Sequence, residues 1–241
     1  MIDSINNSDT KVTSDRLPPD VFVVVPAYNE APRIGPVLEG LLEVARTVVV
    51  VDDGSRDNTF DVARRYPVWL LRHVVNLGAG AATQTGITFA LQKGAQYIGT
   101  FDADGQHIPA DLLTLYNIAV TTETNVVFGS RFAGRAVGMP LTRKIMLRVV
   151  SGLTYLLCGV WVTDVTTGLR LLDRKAAQSI HITMNRFEHP IDILHQIRKN
   201  NLRYAEAPAT ILYTEECLSK GQRTSAVMRL AMKVFAEEVM R

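Results

Sequence analysis

Cysteine is nearly missing from this 241-residue chain. Cys158 and Cys217 are the only two and have no metal-like spacing, so neither a disulfide framework nor a thiolate zinc site is indicated, and a reducing, cytoplasmic compartment fits. A dominant charge sign is missing as well: 26 Lys and Arg against 24 Asp and Glu leave +2, too even to mark nucleic acid as a partner. No stretch offers the ~20 clean apolar residues needed to span a bilayer. The nearest, residues 145–162, contains Arg148, Ser151 and Gly152. Repeats, low-complexity segments and internal linkers are also lacking, so residues 21–241 read as one unit. Residues 1–20 are polar, hold Pro18 and Pro19, lack the apolar core of a secretory signal, and are expected to form a flexible tail.

What is present is a 47% apolar composition, enough to bury the core of one α/β domain. Residues 21–25 are a β-branched and aromatic run of the kind found in strands buried on both faces of a parallel sheet. Strands are also expected at 47–51, 68–71, 97–101 and 125–128, alternating with helices at 32–45, 57–65, 79–93 and 110–120. Helices at 144–159 and 191–199 follow. Residues 225–241 place Val227, Leu230, Ala231, Val234 and Phe235 at amphipathic helical spacing. The domain proper is therefore expected over 21–224, with 225–241 appended.

Acidic residues fall where strands end. Asp102-Ala103-Asp104-Gly105-Gln106 follows the fourth strand, and paired carboxylates with a nearby amide oxygen suit a hard divalent cation that also holds phosphate oxygens; a solvated turn is the plainer alternative. Asp52-Asp53-Gly54-Ser55 ends the second strand, where a carboxylate can accept from a base edge or ribose hydroxyl, or cap a helix. Gly78 and Gly80 sit at a strand-to-helix turn, where backbone N–H groups are expected to be open to a phosphate or chains to pack closely. Thr83 replaces the third glycine of a dinucleotide fingerprint, which disfavours a dehydrogenase. Gly129-Ser130-Arg131 with Arg135, Arg143, Lys144 and Arg148 gathers positive charge fit to neutralise phosphates, or simply to face solvent. Residues 164–170 pack a carboxylate, two hydroxyls, a glycine and Arg170 into a polar loop that reads as part of a site.

The order of these motifs, from Pro26-Ala27-Tyr28-Asn29-Glu30 to Asp164–Arg170, resembles glycosyltransferase family 2, and most closely its dolichol-phosphate mannose synthase and polyprenyl-phosphate glycosyltransferase branch, over roughly residues 21–225. The resemblance implies a GT-A type fold: a Rossmann-like, mostly parallel sheet flanked by helices. It implies that Pro26, Tyr28, Glu30 and Asp53 hold the base and ribose of a UDP- or GDP-sugar, with Gly78, Asp102, Ala103 and Arg131 on the same donor side. Asp102, Asp104 and Gln106 would gather Mg²⁺ or Mn²⁺. Asp104, Asp164, Arg131 and Arg170 would carry catalysis, and Arg143, Thr167, Arg170 and Lys220 would meet the acceptor, a polyprenyl phosphate. It also implies an enzyme peripheral on the inner face of a membrane, in some relatives paired with a small separate membrane protein, with residues 144–159 either in the interfacial plane or in the core.

A sugar hydroxyl as acceptor would instead need a carboxylate base from Asp164 or Glu188. Two other classes compete. A nucleotidyltransferase should show a basic, glycine-rich loop after the first strand, where this chain has Pro26–Glu30. A silent binding subunit should have lost the acidic pair, which is present.

Overall fold

The computed structural model describes residues 15–184 and 189–213. Its centre is β1 (Val21–Ala27), whose side chains alternate between two cores, so both faces must be apolar. Val21, Val23 and Val25 join one buried cluster with Ile34, Leu38, Leu41, Leu112 and Leu115; Phe22 and Val24 join the other with Ala82, Ile87, Ala90, Ile193 and Ile197.

The helices follow from the same division. α1 (Ala31–Val44) presents Ile34, Val37, Leu38 and Leu41 at helical spacing to the first core, which it shares with α2 (Thr59–Ala63) and α4 (Asp111–Thr122). α3 (Ala79–Gln92), α6 (Arg174–Ser179) and α7 (His189–Lys199) serve the second. With β2 (Thr47–Asp52), β3 (Trp69–Arg72), β4 (Tyr97–Thr100), β5 (Val126–Val137), β6 (Arg170–Asp173) and β7 (Tyr204–Leu212), the sheet has the order β3-β2-β1-β4-β6-β5-β7. Only β6 is reversed, running antiparallel to both β4 and β5.

Three expectations change. Residues 15–20 are no tail: Leu17 is buried in the first core and its N–H donates to Val44 O at 2.7 Å, while Asp20 O accepts from Gln96 N at 2.9 Å. β5 runs well past Phe128, because residues 126–130 and 135–137 pair with β7 on either side of an irregularity between Ser130 and Arg135, which places Gly129-Ser130-Arg131 within a strand. α5 (Leu141–Cys158) is two-faced, with Met146, Leu147, Val150, Ser151 and Thr154 buried and Leu141, Ile145, Val149, Tyr155 and Leu156 exposed. Among the described residues no helix is long and apolar enough to cross a membrane.

Candidate active site

Beyond the carboxyl ends of β1 and β4 lies a cavity of about 430 Å³, where ligands of open α/β sheets bind. Pro26, Tyr28 and Glu30 form one wall, Asp102, Ala103 and Asp104 the floor, and Thr166, Thr167, Gly168 and Arg170 the far side. Ala79, Val150, Val165 and the first residues of α7, His189, Pro190 and Ile191, complete it.

The first wall is held by hydrogen bonds between two motifs far apart in sequence. Asn29 adopts φ 56°, a left-handed conformation asparagine tolerates better than most residues. Its N–H donates to Ser55 Oγ at 3.0 Å and its Oδ1 accepts from Arg56 N at 2.9 Å. The Glu30 N–H donates to Thr59 Oγ1 at 2.7 Å, and Arg33 Nε donates to Glu30 Oε2 at 2.6 Å.

Asp53 is bound to its own neighbours. Its carboxylate is buried and accepts from the Leu77 and Gly78 N–H groups, at 3.0 and 2.8 Å, and from Asn76 Nδ2 at 2.9 Å, with His73 Nδ1 2.7 Å away. These contacts fasten the turn into α3 and leave Asp53 outside the cavity lining. The Gly78 N–H, expected to be open to a phosphate, is spent on this carboxylate. Glycine is needed there because φ is 104°.

Asp102 and Asp104 stand together on the floor. Burial pushes the Asp102 carboxyl up, but the His107 contact and the charges of His107, Arg170 and His189 outweigh it and hold the group below the usual range. Asp104 goes the other way: burial and then the charge of Asp102 raise it, against the Gln106 N–H, which donates to Asp104 Oδ1 at 3.0 Å. Two carboxylates of which one ionises reluctantly fit a divalent cation that takes its other ligands from a diphosphate and water. No group of three or more His, Cys, Asp or Glu suited to a metal exists among the described residues. Gln106, expected as a third ligand, touches the pair through its backbone N–H and does not line the cavity.

Across the cavity, Arg131 and Asp164 form an ion pair with each other. Arg131 Nε donates to Asp164 Oδ2 at 2.5 Å, its second terminal nitrogen donates to Thr166 Oγ1 at 3.2 Å, and its first donates to the Tyr213 hydroxyl. Burial would lower the Arg131 pKa, but Asp164 and Tyr213 hold it above the ordinary value. Both residues lie behind the wall, as does Arg143, whose guanidinium stacks over the Tyr213 ring at 5.0 Å. Thr167 and Arg170 do line the cavity. Arg170 is the largest fully buried side chain, its Nε has no hydrogen-bond partner among the described residues, and burial pulls its pKa down to about 10 against the charges of Asp102 and Asp164. Lys220, Glu188 and residues 225–241 lie outside the described residues.

Two residues of the site escaped the sequence reading. His107 Nε2 lies 3.5 Å from Asp102 Oδ2. Glu206 on β7 accepts from Thr163 N and Oγ1, both at 2.8 Å, and fixes the start of the 164–170 loop. His107 directly follows the acidic motif and could have been suspected there; Glu206 gave no signal.

The fold and this site define an α/β protein whose cavity has an acidic floor and a buried arginine on its far side. Residues 22–180 match the model of glycosyl transferase family 2, and the chain belongs to that family. It is 31% identical to a UDP-N-acetylglucosamine–dolichyl-phosphate N-acetylglucosaminyltransferase of Methanococcus voltae, over 89% of this chain and 93% of that one. It is 28% identical to a polyprenol monophosphomannose synthase of Mycolicibacterium smegmatis, over 90% and 85%. Among solved structures, glucosyl-3-phosphoglycerate synthase of Mycobacterium tuberculosis with Mn²⁺ and UDP-glucose superposes with a TM-score of 0.65 at 16% identity, covering 90% of this chain and 78% of that one. That likeness concerns the fold, which is the GT-A type expected.

Proposed function

We propose that this protein transfers one sugar from a nucleoside diphosphate sugar to the phosphate of a polyprenyl phosphate, with inversion, at a membrane surface. The observation that carries the reading is the division of one cavity between the Asp102–Asp104 pair and the buried Arg170 on its far side. The names of the M. voltae and M. smegmatis relatives support a lipid phosphate as acceptor.

Asp102 and Asp104 would hold Mg²⁺ or Mn²⁺ against the donor diphosphate. Once bound, the cation supplies charge neutralisation for the departing nucleoside diphosphate. Pro26, Tyr28 and Glu30 bound the donor end, and Asp53 acts one step back by fixing the turn at Gly78 and Ala79. Arg170 and Thr167 orient the acceptor phosphate, one of whose oxygens bonds to the anomeric carbon as the bond to the diphosphate breaks and its electron pair leaves with the nucleotide. Arg131 and Arg143 add positive potential from behind Thr166.

The hydroxyl-acceptor alternative needs a general base. Of the two candidate bases, Asp164 is held by Arg131, and Glu188 lies outside the described residues. A phosphate acceptor is already ionised and needs none.

The exposed face of α5 gives the site its membrane side. Leu141, Ile145, Val149 and Leu156 share it with Arg148, and Tyr155 stacks edge-on against exposed Trp161 at its end. Residues 124–163 contain no acid and five basic residues. An apolar stripe with cations beside it suits the surface of an anionic membrane, where a small integral membrane partner could also bind.

The deciding experiment incubates purified protein with Mn²⁺ or Mg²⁺, a panel of UDP-, GDP- and dTDP-sugars, and polyprenyl phosphate. Lipid-linked sugar from one donor is the expected product. Transfer only to a sugar hydroxyl would overturn the acceptor assignment. Ile145→Glu/Leu156→Glu should release the protein from phosphatidylglycerol vesicles in a sedimentation assay, and unchanged sedimentation would remove the membrane face.

A further inference from the structure

The loop on the acceptor side touches a carboxylate on the donor side at Gly168. A Cβ built there would overlap both carboxylate oxygens and Cγ of Asp102. This is a requirement for space, since the Gly168 backbone is not in the left-handed region that itself favours glycine.

The contact is fixed from both directions. Thr100, the buried last residue of β4, donates through Oγ1 to Gly168 O at 2.6 Å, only two residues before Asp102. Gly129 N donates to Leu169 O at 2.9 Å, and the fully buried Leu169 pins the loop from below. On the other side of Asp102, His107 Nε2 is 3.5 Å from Oδ2, and the His107 ring packs edge-on against Phe101. The carboxylate is therefore set between the backbone of one loop and the ring of another. A cation ligand misplaced by a fraction of an ångström binds poorly, so the neighbours that orient it matter nearly as much as the ligand.

We propose that Gly168 is a positioning residue for Asp102, through which the acceptor loop sets the orientation of the donor-side carboxylate. The inference rests on the reading of Asp102 as a holder of the cation. It gives the 164–170 loop a second task besides meeting the acceptor: the loop must be seated for the donor site to be complete.

The test is calorimetric binding of UDP or GDP, whichever the wild type binds, with and without Mn²⁺. Gly168→Ala should weaken the Mn²⁺-dependent affinity by about 10- to 100-fold, leave the metal-free affinity unchanged, and raise the donor KM. Thr100→Val, which keeps the side-chain shape and removes the bond to Gly168 O, should act in the same direction to a smaller extent. Circular dichroism and a melting curve establish that each variant is folded, and if Gly168→Ala is not, Thr100→Val decides. An unchanged ratio of affinities with and without Mn²⁺ in the folded variants overturns the proposal. Asp102→Asn separates the two levels: loss of the Mn²⁺ effect there without loss in Gly168→Ala sinks only the positioning role. Its persistence in Asp102→Asn sinks the cation site and this inference with it.

Discussion

Arg131 and Asp164 form a buried ion pair between β5 and the loop that precedes β6, with side chains 5% and 0% exposed. Read along the sequence they are two separate candidates for catalysis. In the fold they are one unit that holds Thr166 at the cavity wall.

Breaking that pair leaves a buried charge without its partner. Arg131→Met or Asp164→Leu alone should cost about 3–5 kcal/mol of stability. The double substitution should cost clearly less than the two single costs added together. Urea unfolding of the three variants measures this, and simple additivity would mean that the pair is not coupled.

Asp104→Asn should abolish cation-dependent turnover while the fold survives. The raised pKa of Asp104 also has a sign. Between the ordinary carboxylate value and the raised one, the native state binds more protons than the unfolded chain, so stability without metal falls as pH rises through that window. Thermal melts across pH should show this slope in the metal-free wild type and its loss in Asp104→Asn.

Arg170→Ala should raise the KM for polyprenyl phosphate by more than tenfold, corresponding to roughly 1.4 kcal/mol, with a smaller change for the sugar nucleotide. Steady-state kinetics with each substrate varied in turn checks the split. A larger effect on the sugar nucleotide would place Arg170 on the donor side.

Asp192, at the start of α7, takes the N–H groups of Thr183 and Met184 at 2.7 and 3.3 Å and the Gln196 amide at 2.8 Å. Burial raises its pKa, but the bonds from Thr183, Gln196 and Met184 lower it further, and the net shift is downward. Its stabilisation is therefore present above the unfolded value and lost as pH falls through the lowered folded value. Asp192→Asn should cost about 1–3 kcal/mol at neutral pH, with the difference from wild type closing in acid, as denaturation at a series of pH values would show.

The parallel half of the fold was legible because its strands are buried on both faces and so read as unbroken apolar runs, as in Val21–Ala27 and Thr47–Asp52. β7 was not, since exposed Tyr204, Pro208 and half-buried Glu206 interrupt its pattern, and β6 is only four residues long. The site was legible where chemistry lies in contiguous motifs, as at Asp102 and Asp104. It was illegible where partners are remote. Nothing in the local sequence says that Asp53 will be consumed by His73, Asn76 and Gly78, or that Asp164 will be consumed by Arg131, because those contacts arise only when the sheet is assembled.

The reversal of β6 has an outcome beyond topology. A parallel strand delivers its last residue to the cavity, whereas β6 delivers its first, so Arg170 and the loop before it arrive as the chain enters the sheet. The cavity is thus lined from two stretches of polypeptide, one before residue 107 and one after residue 130. The two stretches meet where Gly168 packs against Asp102 without room for a side chain.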